Sequence, residues 1–484
     1  WIRGFDSHHP LFCYPFIWKM RRIAVSFVKS KELEGVHMKI FLPEKVNFII
    51  NKLKENGYEA YAVGGCVRDS VLGRVPDDWD ITTSATPNET KALFRRTFDT
   101  GIEHGTITVL VDKEAFEVTT YRVDGEYEDS RHPREVVFTR SLKEDLLRRD
   151  FTINAMAYNE EEGLVDIFGG IEDLQRKMIR CVGNARERFG EDALRILRAV
   201  RFAAQLGFRI EDETMEGIRK LAPTLANISA ERIQVELVKM LVSPNPGLLA
   251  LSYELGITKV VLPEFDEMMR TGQETPHHMY SVGMHTLKAV EQVRADKVLR
   301  LTMLLHDVAK PQMKTVDADG VAHFKMHDVK GAEVAKRILK RLKFDNDTLG
   351  KVTKLVQYHD YRMPAQPKNV RRAMNKIGEE LFPYYLEIRK ADTMAQSEYM
   401  REEKLSNIAG IERCYKEILK KKECVSLKML AVSGSDLIAD GMQPGKQIGA
   451  VLQALLELVI EQPEYNTKEI LLEQSRKLRK ETLL

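Results

Sequence analysis

The chain has 484 residues, of which 43% are hydrophobic and 30% charged. This length exceeds what one hydrophobic core supports, so several globular domains are expected. The 74 basic and 72 acidic residues nearly cancel, which excludes a uniformly polycationic nucleic-acid-binding protein but not a local basic groove. The five cysteines form no Cys-x-x-Cys pair, so a disulfide framework or zinc knuckle is not indicated and a cytoplasmic location is expected.

The first 37 residues are expected to be an extra N-terminal segment, either disordered or preceding the native start. Residues 11–18 are apolar, but they are too few, and too interrupted by Pro15, to span a membrane. They also lack the cleavage site of a signal peptide. We therefore expect no membrane partner, and an ordinary domain beginning at Met38.

Residues 61–83 predict a strand, a glycine turn, a short helix and a second strand. Gly64 and Gly65 lie at the turn, where a backbone without side chains can approach phosphate oxygens closely. Asp78 and Asp80 lie on the second strand, and alternation puts both carboxylates on one face. Two like charges so placed repel unless a cation lies between them. The stretch therefore predicts a metal site beside a phosphate site.

Two alternating, β-branched strands are predicted over residues 105–111 and 115–121. Alternation along the second strand directs the Glu117 side chain to one face of the sheet, toward a core or a site. With Asp78 and Asp80, it could hold the two Mg²⁺ ions of an in-line nucleotidyl transfer. The alternative is an Asp-x-Asp turn that binds nothing. Residues 123–135, between Arg122 and Val136, have no hydrophobic period and predict a mobile loop.

The rest of the chain is predicted to be mostly helical, including helices over residues 148–157, 191–203 and 230–241, the last capped by Ser229. On the second of these, Asp192 and Arg195 are three residues apart and share a face. A carboxylate acceptor beside a guanidinium fork matches the Watson–Crick edges of cytosine and adenine. An intrahelical salt bridge is the alternative.

These motifs, taken in order, resemble those of the class II tRNA nucleotidyltransferase and bacterial poly(A) polymerase family over roughly residues 40 to 270. The resemblance implies a polymerase-β-like palm with Asp78 and Asp80 at its metal centre, and base selection by Asp192 and Arg195. It assigns nucleotide binding to Gly64, Gly65, Arg68, Arg149, Asp150, Asn154, Arg198 and Arg201. It also relates the loop from Asp124 to Arg134 to C-to-A switching, and the helix with Glu231, Arg232 and Glu236 to bracing of the base pocket.

A second constellation consists of His285, the pair His306 and Asp307, and Asp392. A buried His-Asp pair at the end of an apolar helix is costly unless a cation pairs with it. A divalent metal such as Mn, Ni, Co or Mg is therefore expected. The order of these residues resembles the HD phosphohydrolase superfamily, in which His327 and His359 occupy the places of extra ligands. Such domains in related enzymes imply hydrolysis of cyclic phosphates and phosphomonoesters, although a vestigial tRNA-holding scaffold is the alternative.

The fold is predicted to be α+β, with a polymerase-β-like palm built on a small mixed sheet, followed by an extended all-α body that includes an HD-type helical domain. The expected division is an N-terminal segment (1–37), a palm (38–182), a helical neck and RNA-binding body (183–265), an HD domain (266–400) and a tRNA-binding tail (401–484).

The predicted activity is template-independent addition of CCA to tRNA 3′ ends from CTP and ATP, with HD-domain end repair as an added activity. A poly(A) polymerase, an enzyme adding only part of CCA, and an HD metallohydrolase with an inert polymerase domain stay open as alternatives. A pure RNA-binding scaffold would leave both acid clusters without a role.

Overall fold

The computed structural model of the protein describes residues 39–124 and 136–481. Thirteen strands lie in these ranges: β1 (Ala60–Val63), β2 (Ile81–Thr83), β3 (Thr97–Gly101), β4 (Thr106–Val111), β5 (Glu114–Thr120), β6 (Arg122–Asp124), β7 (Val136–Phe138), β8 (Met156–Asn159), β9 (Gly163–Asp166), β10 (Met178–Ile179), β11 (Arg209–Ile210), β12 (Thr315–Val316) and β13 (Ala322–His323).

The same ranges contain the helices α1 (Glu44–Glu55), α2 (Gly65–Val71), α3 (Pro87–Leu93), α4 (Leu142–Leu147), α5 (Gly170–Arg176), α6 (Ala185–Glu191), α7 (Leu194–Leu206), α8 (Asp212–Leu221), α9 (Ala230–Leu241), α10 (Leu249–Glu254), α11 (Thr258–Val261), α12 (Pro263–Arg270), α13 (Val282–Gln292), α14 (Lys297–Leu305), α15 (Lys310–Met313), α16 (His327–Arg341), α17 (Asn346–Tyr358), α18 (Pro367–Ile377), α19 (Phe382–Ala395), α20 (Arg401–Lys421), α21 (Gly434–Ala439), α22 (Gln447–Glu461) and α23 (Lys468–Glu481).

The N-terminal part is built on a seven-stranded sheet of order β3-β4-β5-β2-β1-β8-β9. Every pairing is antiparallel except that of β2 with β5, which is parallel. The predicted mixed sheet and α+β class are therefore confirmed. Because β1 and β2 lie at the centre with their neighbours on both sides, the turn after β1 and the segment before β2 meet at one edge.

Local sequence signals account for several boundaries. Pro87 begins α3, and Thr86 closes a capping box with Glu89. The helix α7 ends where Gly207 adopts φ +71°, a left-handed conformation that glycine takes without a Cβ penalty. The helix predicted over residues 230–241 is present, but the Ser229 side chain makes no capping hydrogen bond.

The helix predicted over residues 148–157 is wrong. The helix α4 ends at Leu147, a single turn of 3₁₀ helix covers Thr152–Asn154, and β8 follows from Met156. The reason is tertiary: β8 pairs with β1, and Phe151 forms an isolated bridge with Cys181. Sheet pairing therefore takes backbone hydrogen bonds that a helix would have used internally.

The helical body is not purely helical, because it carries two small sheets. The strands β10 and β11 pair in parallel, and β12 and β13 form a short antiparallel ribbon. The ribbon borders the second of the two clefts described below, where residues 321–328 form part of the wall.

One continuous hydrophobic core extends from Ile40 to Val425, and a separate cluster runs from Cys424 to Leu471. The predicted boundary at 265/266 falls inside α12, where Phe265 and Met268 belong to that continuous core. The division into domains stays a prediction. Over residues 39–124 and 136–481, no helix combines the length and the apolar character needed to cross a bilayer.

Candidate active site and second metal-binding cluster

A polar cleft of about 440 Å³ opens where the seven-stranded sheet meets α7 and α9. The residues that line it include every predicted nucleotide-binding residue and both acids of the predicted metal centre: Gly64, Gly65, Arg68, Asp78, Asp80, Arg149, Asp150, Asn154, Asp192, Arg195, Arg198 and Arg201. The fold thus brings together side chains that are spread over more than a hundred positions of sequence.

Asp78 and Asp80 do not lie on a regular strand, because β2 begins at Ile81. They lie in the segment that enters it, and Val63 N–H donates to the Asp80 carbonyl at 3.0 Å. The parallel register pairs Ile81 with Val118, so Glu117 lies beside Asp80 at the equivalent position of β5. Partial burial in the cleft raises the pKa of Asp80, and Asp78 and Glu117 add to that effect while Arg149 opposes it. Asp78 and Glu117 therefore both repel the Asp80 carboxylate, although Glu117 is exposed and is not among the residues that line the cleft.

Arg149 brings positive charge to the glycine turn. Its Nη2 donates to Asp145 at 3.4 Å, while its buried Nε makes no hydrogen bond within the described residues. Gly64 adopts φ +84°, and a Cβ there would lie 3.0 Å from Arg149 Nη1. Glycine at this turn therefore leaves room for the guanidinium beside the backbone.

Asp150 organises the floor of the cleft. One carboxylate oxygen accepts from Phe151 N and Asn154 Nδ2, and the other accepts from Arg198 Nε at 2.7 Å. Burial opposes its ionisation, but Arg198 and the hydrogen bond from Asn154 outweigh burial and hold the pKa of Asp150 at about 2. Asn154 Oδ1 in turn accepts from Arg68 Nη1 at 2.7 Å.

Asp192 and Arg195 are not in one helix, because Asp192 is extended between α6 and α7. Arg195 pairs with Glu191 at 2.5 Å, and Asp192 accepts from both Nη atoms of Arg232 at 3.3 and 2.7 Å. Both residues nevertheless line the cleft, so the expected carboxylate and guanidinium face the same space.

Arg201 supports the cleft from behind. Its Nε donates to Glu236 at 2.5 Å, and its guanidinium lies 3.7 Å from the ring centroid of Phe202. Burial lowers the pKa of Arg201, and Glu236 opposes that shift. The helix expected to brace the pocket thus contributes Arg232 and Glu236 to it.

Beyond the predicted site residues, Arg148, Leu194, Phe202, Arg232 and Lys239 also line the cleft, and Asp145 lies beneath it. Asp145 is fully buried and accepts from Arg148 at 2.7 Å and from Thr82 Oγ1 at 3.1 Å. The spacing of Asp145 from Arg148 and Arg149, three and four residues, is the helical signal that could have revealed this anchor.

A second cluster lies in the region of α13, α14 and α19. His285 Nε2 is 3.0 Å from Asp392 Oδ1 and 3.6 Å from Asp307 Oδ2, while His306 Nε2 is 3.2 Å from the latter oxygen. All four side chains are buried. The structure therefore assembles the predicted set, and His327 and His359 join it through the other oxygen of Asp307.

The neighbouring cavity has a volume of about 550 Å³ and several cationic residues in its wall. Lys310 Nζ lies 2.7 Å from Asp307 Oδ2, and Lys404 Nζ donates to Gln396 at 2.7 Å. Burial lowers the pKa of Lys404. The predictions for residues 1–37 and for nearly all of the loop from Asp124 to Arg134 lie outside the described residues.

Comparison with known families divides the chain among three matches. Residues 60–180 match the family described as "Poly A polymerase head domain". Residues 207–269 match "Probable RNA and SrmB- binding site of polymerase A", and residues 323–474 match "tRNA nucleotidyltransferase domain 2 putative". The first match holds the sheet and both acids, whereas the part of the cleft that α7 and α9 line lies outside it.

Curated relatives cover nearly the whole chain. The CCA-adding enzyme of Limosilactobacillus reuteri (strain DSM 20016) is 36% identical over 94% of this chain and 100% of its own length. That of Enterococcus faecalis (strain ATCC 700802 / V583) is 35% identical over 89% of this chain and 95% of its own length. Over 40% of this chain and 48% of the relative, identity to the Geobacillus kaustophilus (strain HTA426) enzyme reaches 53%.

Among solved structures, the Bacillus stearothermophilus CCA-adding enzyme in complex with CTP superposes with a TM-score of 0.66 at 30% identity. The match covers 90% of this chain and 98% of that one. The Thermotoga maritima CCA-adding enzyme complexed with tRNA shares the fold, with a TM-score of 0.56 at 21% identity over 90% of this chain and 96% of that one. The chain belongs to the family of CCA-adding enzymes.

Proposed function

We propose that the protein adds CCA to tRNA 3′ ends, taking CTP and ATP without a nucleic-acid template. The observation that carries the proposal is the single cleft in which paired acids, a basic wall and the Asp192 and Arg195 pair meet. Its polar lining has the charge expected for a triphosphate, because six arginines beyond the base-selecting pair border it.

The crowding of Asp78, Asp80 and Glu117 fits a divalent cation, since hard carboxylate oxygens are the ligands that Mg²⁺ prefers and a cation relieves their repulsion. Bound there, Mg²⁺ would activate the attacking hydroxyl and neutralise developing phosphate charge. The chain's own cations would hold the triphosphate: Arg149 lines the cleft with its Nη1 at the glycine turn, where Gly64 leaves it space.

Base selection falls to Asp192 and Arg195. The Asp192 carboxylate accepts from an exocyclic amino group, which cytosine and adenine have and uracil lacks. Arg195 is held in place by Glu191 and by the Arg148 and Arg188 carbonyls, so its fork is fixed before a base arrives. With the Arg195 donor and the Asp192 acceptor held in fixed positions, the protein itself can recognise the Watson–Crick edge of the incoming base, and no template is needed.

The test is extension of tRNA that lacks its terminus, with CTP, ATP, UTP and GTP supplied singly and together. We expect two additions with CTP alone and one further addition when ATP is also present. Long A tracts from ATP alone would indicate a poly(A) polymerase and overturn the proposal. Addition of A only to tRNA already ending in CC would indicate a partial enzyme and would overturn it as well.

Two substitutions test whether nucleotide addition depends on the acids of the proposed metal site. Asp80→Asn should abolish addition, because it removes a charge from the proposed metal site. Asp77→Asn is the matched control, since Asp77 is exposed and lies outside the cleft, three positions along the same segment. Addition retained by Asp80→Asn would place the chemistry elsewhere.

A second activity, phosphohydrolysis at the buried His-Asp cluster, is favoured by the adjoining cavity, whose wall carries Lys310, Arg362 and Lys404. Ammonium and guanidinium groups around a His-Asp cluster suit a phosphate monoester or a 2′,3′-cyclic phosphate. Such an activity would repair damaged tRNA 3′ ends before nucleotide addition.

The two activities are separable by substitution. Asp78→Ala should abolish addition and leave hydrolysis of a 2′,3′-cyclic nucleotide intact, while His306→Ala should do the reverse. If the wild-type chain loaded with Mn²⁺, Ni²⁺ or Co²⁺ hydrolyses neither class of phosphate, the cluster is not a hydrolase. Loss of both activities in His306→Ala would assign His306 a structural role instead.

A further inference from the structure

A smaller pocket of about 290 Å³ adjoins the cavity beside the His-Asp cluster. We call it the side pocket: it is bounded by Tyr385 and Thr393 on α19, by Asn407 and Ile411 on α20, and by Met363 in the loop between α17 and α18. Five residues line both spaces: His277, Asp360, Arg362, Gln396 and Lys404. The two spaces are therefore neighbours, and a molecule held in the cavity has room to extend toward the side pocket.

The inner wall of the side pocket is apolar. Met363, Tyr385, Ile408 and Ile411 line it, and each is less than a tenth exposed. The positions that α20 contributes recur every three or four residues and so share one face of the helix. Aromatic and apolar side chains at the base of a pocket suit a flat ring system, which gains from stacking and from leaving water.

The rim of the side pocket offers unpaired acceptors. Asn407 Nδ2 donates to the Met363 carbonyl at 3.1 Å, which holds the amide in place, and Asn407 Oδ1 accepts no hydrogen bond within residues 39–124 and 136–481. Glu403, one turn earlier on α20, is exposed and makes neither an ion pair nor a hydrogen bond in those ranges. Such oxygens accept from an exocyclic amino group, which adenine and cytosine carry.

The border between the two spaces carries positive charge. Lys404 Nζ donates to Gln396 Oε1 at 2.7 Å, and Arg362 Nε lies 3.0 Å from Asp360 Oδ1. Arg389 Nη1 donates to the same oxygen at 3.0 Å, so Asp360 is fixed between two guanidinium groups. The Arg362 side chain is 73% exposed and can reach a ligand. A phosphate attached to a ribose would meet these cations on the cavity side.

We propose that the side pocket binds the nucleobase of a nucleotide whose phosphate lies in the cavity, and that it takes adenine and cytosine. The inference rests on the proposed phosphohydrolase and names its substrate class, which is nucleotides rather than phosphate esters in general. The volume of about 290 Å³ is at the lower end of the range for small-molecule pockets, about 300 to 1,000 Å³. That size suits one base with its ribose, either as a free nucleotide or at the end of an RNA.

A bulky substitution at the rim tests the proposal in the full-length, Mn²⁺-loaded chain. Asn407→Trp should block the side pocket without disturbing the core, because Asn407 is exposed. We expect the KM for adenosine 2′-phosphate to rise about tenfold or more, and the KM for glycerol 2-phosphate, which has no base, to stay unchanged. Ser406→Trp is the matched control, since Ser406 is the exposed neighbour on α20 and lines neither space.

The same two variants distinguish the two sources of the base. Adenosine 2′,3′-cyclic phosphate and a tRNA that ends in this group are compared as substrates. A higher KM for both in Asn407→Trp would place the end of an RNA in the side pocket, whereas a higher KM for the free nucleotide alone would assign the pocket to mononucleotides. Both results support a base-binding pocket, and an unchanged KM for both would overturn it.

Nuclear magnetic resonance of methionine methyl groups gives a readout that needs no hydrolysis. Met363 and Met400 line the side pocket, whereas Met178 on β10 lines neither space. In the full-length chain loaded with diamagnetic Mg²⁺, adenosine and cytidine should shift the Met363 and Met400 signals and leave Met178 in place, and ribose should shift none of them. The shifts should disappear in Asn407→Trp and persist in Ser406→Trp.

The two readouts separate failure of the base-binding pocket from failure of the phosphohydrolase. Methionine shifts in a wild-type chain that hydrolyses no phosphate ester would refute the phosphohydrolase and leave base binding intact. Hydrolysis with the same KM in Asn407→Trp, and no shift of Met363 or Met400 by either nucleoside, would overturn the side pocket and leave the phosphohydrolase intact. Nucleotide addition by both variants, expected at the wild-type rate, checks that they fold.

Discussion

Gly64 has an unusual backbone conformation and also lines the cleft beside Arg149. Its φ of +84° is unfavourable for any residue with a Cβ, and a Cβ would also lie 3.0 Å from Arg149 Nη1. Gly57 has the same φ of +84° but nothing within 4 Å of its Cβ position. Comparing alanine substitutions at the two glycines therefore distinguishes the cost of the backbone conformation from the effect of displacing the Arg149 guanidinium.

We predict that Gly64→Ala and Gly57→Ala both lower the free energy of unfolding, by about 1 kcal/mol or more, because both force alanine to adopt a positive φ. Only Gly64→Ala should also reduce kcat/KM for CTP, by about tenfold or more, since Arg149 must move. Urea unfolding and steady-state kinetics check the two effects. Equal loss of kcat/KM in both variants would contradict the role of Arg149.

Asp150 makes the stability of the cleft depend on pH. Its pKa is about 2 in the folded chain and about 3.9 when unfolded, so ionisation favours folding. The contribution, about 2 to 3 kcal/mol, is fully present above pH 4 and is lost as the pH falls through 2.

We therefore predict that the free energy of unfolding falls more steeply from pH 4 to pH 2 in the wild type than in Asp150→Asn, which cannot titrate. Urea unfolding at several pH values measures the difference, about 2 kcal/mol between pH 4 and pH 2. Asp77→Asn should follow the wild-type slope. If Asp150→Asn and the wild type showed the same pH dependence, ionisation of Asp150 would not be the source of the pH-dependent stability.

At the scale of elements, one buried ion pair links α7 to α9. Arg201 and Glu236 side chains are 8% and 6% accessible, and their atoms are 2.5 Å apart. Removing one partner leaves the other charged and buried, which costs more than the pair itself contributes. The contact is also what holds the bracing helix beside the cleft.

We predict that Glu236→Ala lowers the free energy of unfolding by about 3 to 5 kcal/mol. The double variant Arg201→Met with Glu236→Leu should recover most of that loss, because no unpaired charge remains. Glu216→Ala on α8 is the control, since its pair with Arg219 is about half exposed and should contribute less than about 1 kcal/mol. A loss below 1 kcal/mol for Glu236→Ala would refute the argument.

At the scale of the whole molecule, the chain has a large core and a separate C-terminal cluster from Cys424 to Leu471. Arg371 on α18 joins them, because its Nε donates to the Ile460 carbonyl at 2.8 Å and its Nη1 to Glu423 at 2.7 Å. Arg372, next to it, makes a more exposed pair with Glu461.

We predict that Arg371→Ala raises KM for tRNA by about tenfold, which corresponds to about 1.4 kcal/mol, and leaves KM for CTP nearly unchanged. The reason is that the C-terminal cluster, expected to contact tRNA, loses its attachment while the nucleotide cleft does not. Arg372→Ala should change neither constant, because exposed ion pairs contribute little. An increase in the KM for CTP alone would contradict this division.

Sequence alone was sufficient for the class of fold and for the order of the motifs, and the roles it assigns to the residues of both sites stay predictions. Alternation marked β4 and β5, glycine marked the turn after β1 and the end of α7, and every predicted nucleotide-binding residue lines one cleft. These signals are local in the chain or belong to motifs of fixed spacing, so they can be recognised without knowledge of the tertiary structure.

Only the tertiary structure decided which groups pair. Residues 148–157 are not helical because β8 pairs with β1, and Asp192 binds Arg232, 40 positions away, rather than Arg195. Asp307 lies near His285, His327 and His359 only because α13, α16 and the end of α17 pack around it. Sequence periodicity records the face of an element, whereas hydrogen-bond partners and shared ligands depend on how elements pack, which no local spacing encodes.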